Sequence, residues 1–297
     1  MANQQRFGYL MILASAAGFA FLPTLTRSIY AVSDFQPFDI AFWRFFFATP
    51  VVWILLQFWA PARQANRTNL ERVKLLLSGT LYAGAALTAF VGLELVPAST
   101  FVVLFFTYPA MVAVMSVFLG RRLTSVAWIS LVLTLIGVAL TVPDFSLGGN
   151  VVGILLAFLN AFIVAVYFLI AEHILKGHAI SGSAYIITGT FLVLLLLLPF
   201  QGLRVPPNLL TLVYLVALSS VSTVLPIFTM NLGIKLVGPA PASIVSAIEP
   251  LLSMMVALIF LGEIILPVQW LGAAAIVAGV IILQAVPARK RAAPAQE

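Results

Sequence analysis

The sequence has few charged residues, few histidines and no cysteine. Only 8% of its 297 residues are charged, two are histidine and none is cysteine. The lack of cysteine excludes a disulfide framework, a thiol nucleophile and a cysteine-ligated metal site. By contrast, 63% of the residues are hydrophobic and the mean hydropathy is +1.15. A soluble domain is about 25% charged, so this composition excludes that class and predicts an integral membrane protein with no metal site and no cofactor.

The apolar runs are long enough for ten transmembrane helices. A bilayer core of about 30 Å needs about 20 apolar residues per helix, and the connections between these runs are short. The sequence therefore predicts no extramembrane domain for catalysis or nucleic-acid binding. The ten predicted spans are 7–26, 38–60, 70–93, 97–119, 124–142, 149–171, 180–200, 208–233, 239–262 and 267–286.

Basic residues are distributed unevenly between the two sides of the predicted helices. Twelve of the 15 lysines and arginines lie at the ends that share a side with the N terminus, two lie at the opposite ends, and Arg44 lies inside the second span. Cytoplasmic loops of membrane proteins are enriched in basic residues. The pattern predicts cytoplasmic N and C termini in the inner membrane of a cell, and the net charge of +6 indicates topology and not a nucleic-acid partner.

The two halves of the chain carry the same motif. A Phe-Leu-Gly run is followed by tryptophan 8 residues after its glycine, and by a Gly-Val pair 9 residues after the tryptophan. Because five spans separate the copies, the second must cross the membrane in the opposite direction. We therefore predict an all-α integral membrane protein with ten transmembrane helices, built as two inverted five-helix repeats, 1–145 and 146–297, around a central cavity. The motif residues are Gly120, Trp128 and Gly137 in the first copy and Gly262, Trp270 and Gly279 in the second.

Polar residues within the spans are the candidates for a binding site. A charge in the middle of a membrane helix costs roughly 2.5–3.5 kcal/mol. Only Arg44 and Glu249 lie clearly inside predicted spans, Glu249 near the middle of the ninth and Arg44 about two turns from the outer end of the second. Glu249 precedes Pro250, which opens the helix, and would meet an amino group or a proton. Alternatively, these residues only join helices, and for Arg44 we favour a structural anchor over a carboxylate ligand. The predicted substrate-binding residues are Tyr82, Thr88, Thr107, Asn160, Tyr167, Ser222, Thr223, Ser243, Ser246 and Glu249, and the predicted hinges are Pro23, Pro109, Pro226 and Pro250.

These features together resemble the ten-helix EamA-type exporters of the drug/metabolite transporter superfamily, over essentially the whole chain. The resemblance implies eight helices around a cavity, two peripheral helices, and export of small metabolites such as aromatic and other amino acids. Another solute class, such as drugs or nucleotide sugars, or a passive pore is the alternative. An enzyme is not expected, and a homodimer is not required. The residues that carry the resemblance are Arg44 in 42–46, Pro109, Ala242-Ser243, Glu249-Pro250, Leu261-Gly262-Glu263 and Gly279-Val280.

Overall fold

The computed structural model describes residues 2–58, 68–96, 98–141, 150–175, 179–262 and 264–285, and within these ranges the chain is helical, without a β-strand. Ten helices follow one another in the order of the predicted spans. They are α1 (Ala2–Ala20 and Leu22–Val32), α2 (Pro37–Phe58), α3 (Asn69–Leu95), α4 (Ala98–Phe105 and Tyr108–Phe118), α5 (Ser125–Thr141), α6 (Val151–Ile174), α7 (Ala179–Gln201), α8 (Leu209–Ser219, a π-helical turn Ser220–Val224, and Leu225–Val237), α9 (Pro239–Ser246 and Glu249–Leu261) and α10 (Pro267–Ala285).

The helices suit a bilayer by length and composition. Seven of them, α1, α2, α4 and α6 to α9, contain segments long and apolar enough to cross a membrane, and α5 and α10 are shorter apolar helices. The remaining helix, α3, has 27 residues and begins with a capping box between Thr68 and Glu71. Its charged first turns are exposed and its later turns are apolar. The fold is that of a multi-pass membrane protein, as predicted.

Four helices are broken close to their midpoints. In α1, α4, α8 and α9 the second segment carries a proline in its first two positions. Proline lacks an N–H donor, so it is tolerated in the first turn of a helix and interrupts a continuous one. The four prolines at these breaks are those predicted as hinges: Pro23, Pro109, Pro226 and Pro250.

The two repeats interlock through equivalent contacts. Helix α1 packs on α8, and the equivalent helix α6 packs on α3. In the first pair, Ser15 Oγ donates to the Pro226 carbonyl at 2.8 Å. In the second pair, Asn160 Nδ2 donates to the Ala85 carbonyl. Ala85 and Pro226 are 141 residues apart, as are the helix-breaking prolines of α4 and α9, so the same hydrogen bond joins each repeat to the other.

Helices α5 and α10 pack closely on each other through glycines. A Cβ atom on Gly137 would lie 2.7 Å from the Gly272 carbonyl, and one on Gly279 would lie 2.7 Å from Thr134 Cγ2. Small residues let membrane helices approach closely. Gly137 and Gly279 of the repeated sequence motif therefore serve this packing. Gly120 and Gly262, the other motif glycines, follow α4 and α9 with positive φ angles of 80° and 67° and have open space around the Cβ position.

Several residues used to predict topology lie outside the described part of the chain. The predicted boundary between the repeats, at 145 and 146, falls in the range 142–149, which is also undescribed. The topology residues outside the described part are Arg63, Arg67, Asp144, Lys176, Glu263, Arg289, Lys290 and Arg291, and one of the two histidines, His178, also lies outside it.

Candidate functional site

The helix breaks of α4 and α9 place two polar side chains near the middle of these helices. Tyr108 begins the second segment of α4, and Glu249 begins the second segment of α9. Each directly precedes the helix-breaking proline of its repeat. The two breaks are in contact, because the Tyr108 hydroxyl and Ser246 Oγ share a hydrogen bond of 2.5 Å. The interface between the repeats therefore passes through this pair of breaks.

Arg44 reaches the same region from α2. Its Nε donates to Thr223 Oγ1 at 2.5 Å and its Nη2 donates to the Ser222 carbonyl at 2.8 Å. Both partners lie in the π-helical turn of α8, where Thr223 Oγ1 also donates to the Leu218 carbonyl. Such turns frequently occur at functional sites. These two bonds use two of the five guanidinium N–H donors, and the structure assigns no protein partner to the other three within the described ranges.

Arg44 and Glu249 are close enough for an electrostatic interaction. Arg44 also interacts electrostatically with Tyr82, and Glu249 does so with Tyr108. Nevertheless Arg44 and Glu249 form no ion pair within 4.0 Å. Among the described residues the Glu249 carboxylate has no hydrogen-bond partner either. Both side chains are half-buried although they lie in the middle of their helices. This combination is expected of groups that line a solvent-accessible cavity.

Aromatic rings flank these polar groups. The rings of Tyr82 and Tyr167 meet edge to face with centroids 4.6 Å apart. Tyr108 contacts the rings of Phe105 and Phe168 at 5.2 and 5.5 Å. Tyr82 and Phe105 are half-buried, and the other three are buried. The region therefore combines two opposite charges with an aromatic surface, which suits amphipathic solutes.

Several predicted site residues bind other helices. Asn160 donates to Thr88 Oγ1 at 2.9 Å as well as to the Ala85 carbonyl, and so joins α6 to α3. The Tyr167 hydroxyl donates to Asn231 Oδ1, and Asn231 Nδ2 donates to Ser183 Oγ at 2.9 Å. This second set joins α6, α8 and α7. The arrangement is the helix-joining alternative considered for in-membrane polar groups, although the Thr88 hydroxyl remains half-buried.

Other predicted residues bond within their own helices. Ser243 Oγ donates to the Ala240 carbonyl at 2.9 Å, Ser246 Oγ to the Ser243 carbonyl at 2.9 Å, and Thr107 Oγ1 to the Leu104 carbonyl at 2.6 Å. The two serines are fully buried, and Thr107 is half-buried at the break of α4. Ser222 is fully buried, and its hydroxyl is without a partner.

Burial differs between the two segments of α9. In Pro239–Ser246, on the side of the molecule that holds the N terminus, every residue except Pro241 is buried. In Glu249–Leu261, on the opposite side, Val256 is the one buried residue among the described side chains. The first segment therefore lies in packed protein, whereas the rest of the protein covers the second segment less completely.

Sequence reasoning missed four residues of this arrangement. The sequence predicts a structural anchor for Arg44 and does not select Tyr108, Asn231 or Ser183 as site residues. Arg44 does anchor α2 to α8, and it also interacts electrostatically with Glu249. Asn231 could have been found, because a fully buried amide in a membrane helix needs a partner.

Ion pairs join helix ends on opposite sides of the described part of the protein. Arg121, after α4, pairs with Glu172 of α6. Arg204, after α7, pairs with the buried Asp39 of α2 at 3.2 Å. Among the described residues no group of three His, Cys, Asp or Glu side chains could hold a metal ion.

Comparison with known proteins places these features in a family. The profile of the EamA-like transporter family matches residues 6–142 and again residues 151–284. A curated relative, "Uncharacterized transporter YwfM" of Bacillus subtilis (strain 168), is 29% identical over 182 residues, which cover 60% of this chain and 60% of that protein. The chain therefore matches about three fifths of that relative's length. A crystal structure of another protein aligns with a TM-score of 0.79 at 19% identity, covering 93% of this chain and 95% of the other, and supports the fold alone.

Proposed function

The chain belongs to the EamA-like transporter family, and from this premise we propose that it is a secondary transporter that exports small metabolites. The proposed substrates are amino acids, including aromatic and large apolar ones. The carrying observation is Glu249, a half-buried carboxylate in the middle of a broken helix, beside Arg44 and the aromatic surface of Tyr82 and Phe105. A carboxylate of this kind is suited to bind an amino group, and the rings are suited to a large apolar side chain.

The proposed mechanism is alternating access. Two interlocked repeats would rock around the central site, and the four prolines at the helix breaks would be the flexing points. The burial contrast within α9 supports a cavity that is closed on the N-terminal side and open on the opposite side. With the basic residues predicting a cytoplasmic N terminus in the inner membrane, the open side would be the outer one.

We propose that the Glu249 carboxylate also couples transport to a proton gradient. The sequence has no G-x-x-x-x-G-K-[ST] motif for ATP. A proton antiporter needs a group that binds and releases protons in the cavity, and Glu249 is positioned for this. Facilitated diffusion without a coupling ion is the alternative mechanism.

Counterflow in proteoliposomes tests the proposal. Vesicles preloaded with unlabelled L-phenylalanine, L-leucine, L-tryptophan or L-alanine are diluted into the same labelled amino acid. We expect transient uptake that saturates and is reduced by competing amino acids. A lack of saturable flux for all amino acids, with flux of another solute class, would favour a transporter of drugs or nucleotide sugars, and flux without saturation would indicate a passive pore.

A further inference from the structure

We infer that Arg44 and Glu249 form one recognition site for zwitterions, in which Arg44 binds the carboxylate and Glu249 binds the ammonium group of the same molecule. The inference rests on the proposed transport of amino acids and names the group that selects them. It gives Arg44 a substrate contact in addition to its anchoring bonds.

The first argument is the unused bonding capacity of both groups. Arg44 uses two of its five N–H donors on Thr223 and Ser222, and Glu249 makes no hydrogen bond within the described part of the protein. A charged group in a membrane protein is stable only with a partner or in a wet cavity. The bonding capacity that the protein leaves unused on both side chains is therefore available to water or to a ligand.

The second argument is the geometry of the pair. Their charges interact, yet they form no ion pair within 4.0 Å. In the proposed complex the ligand lies between the guanidinium and the carboxylate, and presents its negative group to the first and its positive group to the second. A guanidinium binds a carboxylate through two parallel hydrogen bonds, and a carboxylate binds an ammonium. An α-amino acid carries both groups on one carbon, and its binding leaves neither protein charge unpaired.

The third argument is the way Arg44 is held. Its bonds to the π-helical turn of α8 fix the guanidinium in place, so little side-chain entropy is lost on binding. Glu249 lies in the first turn of the second segment of α9, which fixes the position of its backbone. The two groups come from different predicted repeats, so the distance between them depends on the relative position of the repeats. Occupation of the site is therefore sensitive to the conformational change that transport requires.

A competition assay tests the inference with three molecules that share one side chain. Labelled L-phenylalanine counterflow is competed with unlabelled L-phenylalanine, with phenethylamine, which lacks the carboxylate, and with 3-phenylpropionate, which lacks the ammonium. Loss of a hydrogen bond to a charged group costs roughly 1.5–3 kcal/mol. We therefore expect each analogue to compete about 10- to 100-fold more weakly than L-phenylalanine with the wild-type protein. If another amino acid is the one exchanged, its own amine and deaminated acid replace these probes.

Variants assign each charge to its group. In Arg44→Gln we expect weaker binding of L-phenylalanine and loss of discrimination against phenethylamine, because the carboxylate partner is gone. In Glu249→Gln we expect loss of discrimination against 3-phenylpropionate instead. Arg44→Lys should restore part of the discrimination. Arg204→Gln removes an arginine outside the cavity, half-exposed and paired with Asp39, and should leave the competition pattern unchanged.

The outcomes separate the inference from the proposal on which it rests. Wild-type protein that exchanges L-phenylalanine but binds all three molecules equally would overturn the zwitterion site and leave amino-acid transport intact. Variants that weaken all three competitors by the same factor would also overturn it, because that is the behaviour of structural residues. Wild-type protein that exchanges no amino acid would overturn both.

Discussion

The sharpest test of the cavity is a comparison of two single-cysteine variants on α9. The chain has no cysteine, so an introduced thiol is the sole target of a thiol reagent. Ser243 and Ser253 lie on opposite sides of the helix break, about 15 Å apart at 1.5 Å per residue. Ser243 is fully buried in the first segment, which the proposal treats as closed, and Ser253 is half-buried in the second segment, which the proposal treats as the open side of the cavity. Cysteine is close to serine in size, so both substitutions should be tolerated.

The expected difference in labelling rate follows from the population of the opposite conformation. A membrane-impermeant methanethiosulfonate reacts with a thiolate that water can reach. Ser253→Cys should react directly. Ser243→Cys should react only when its side of the protein opens, and a minor conformation is populated at about 0.1–10%. The Ser243→Cys variant should therefore be labelled about 10- to 1000-fold more slowly than Ser253→Cys.

The assay uses right-side-out and inside-out membrane vesicles, with the reaction followed by a gel shift after modification of the remaining thiols. Wild-type protein gives the background. We expect Ser253→Cys to be labelled in right-side-out vesicles. Labelling of Ser253→Cys in inside-out vesicles alone would refute the predicted orientation. Equal labelling rates for the two variants would refute the closed segment, and a Ser253→Cys thiol inert from both sides would refute the cavity itself.

Three further predictions concern packing, helix contacts and coupling. In Gly189→Ala the new Cβ overlaps a backbone carbonyl of α3, and we expect the free energy of unfolding to fall by about 1–3 kcal/mol. Gly84→Ala, where the nearest atom to the new Cβ is 3.6 Å away, is the matched control. An equal effect of both substitutions on thermal unfolding in detergent would contradict this reasoning. Asn160→Ala removes two interhelical hydrogen bonds and Ser15→Ala removes one. At about 0.6 kcal/mol per bond, Asn160→Ala should lower the free energy of unfolding by about twice as much as Ser15→Ala. A larger loss in Ser15→Ala would contradict these hydrogen bonds as the source of the effect. Glu249→Gln should abolish any dependence of flux on a pH gradient in proteoliposomes, and a full pH response in this variant would assign the proton to another group.

The apolar runs predicted the helical membrane fold because local rules govern it. Backbone groups in a bilayer must be satisfied within the segment, so a long apolar run in this setting becomes a helix. The same locality explains why each predicted hinge proline lies in the first turn of a new helical segment, as at Pro109 and Pro250. The odd number of spans between the two motif copies predicted their opposite direction, because each span crosses the bilayer once.

The candidate site was predicted in part. Glu249 stood out because a carboxylate in hydrocarbon is costly, and the structure puts it in a half-buried position. The polar faces of single helices were less informative about the site. The same polar side chains can line a cavity or join one helix to another, and the sequence pattern is identical in both cases. Asn160 and Ser243 are engaged with protein atoms, and no periodicity distinguishes them from Thr107 or Tyr82, which stay half-buried.

By itself the sequence determined what each segment does in a membrane: where it spans, where it breaks, and in which order the repeated elements come. Those properties depend on neighbours along the chain and on the bilayer. Only the tertiary structure decided which side chains meet. Arg44 bonds to the carbonyl of Ser222, 178 residues away, because helices from the two halves of the chain pack against each other. That packing depends on the shapes of many side chains together, and no single stretch of sequence contains it.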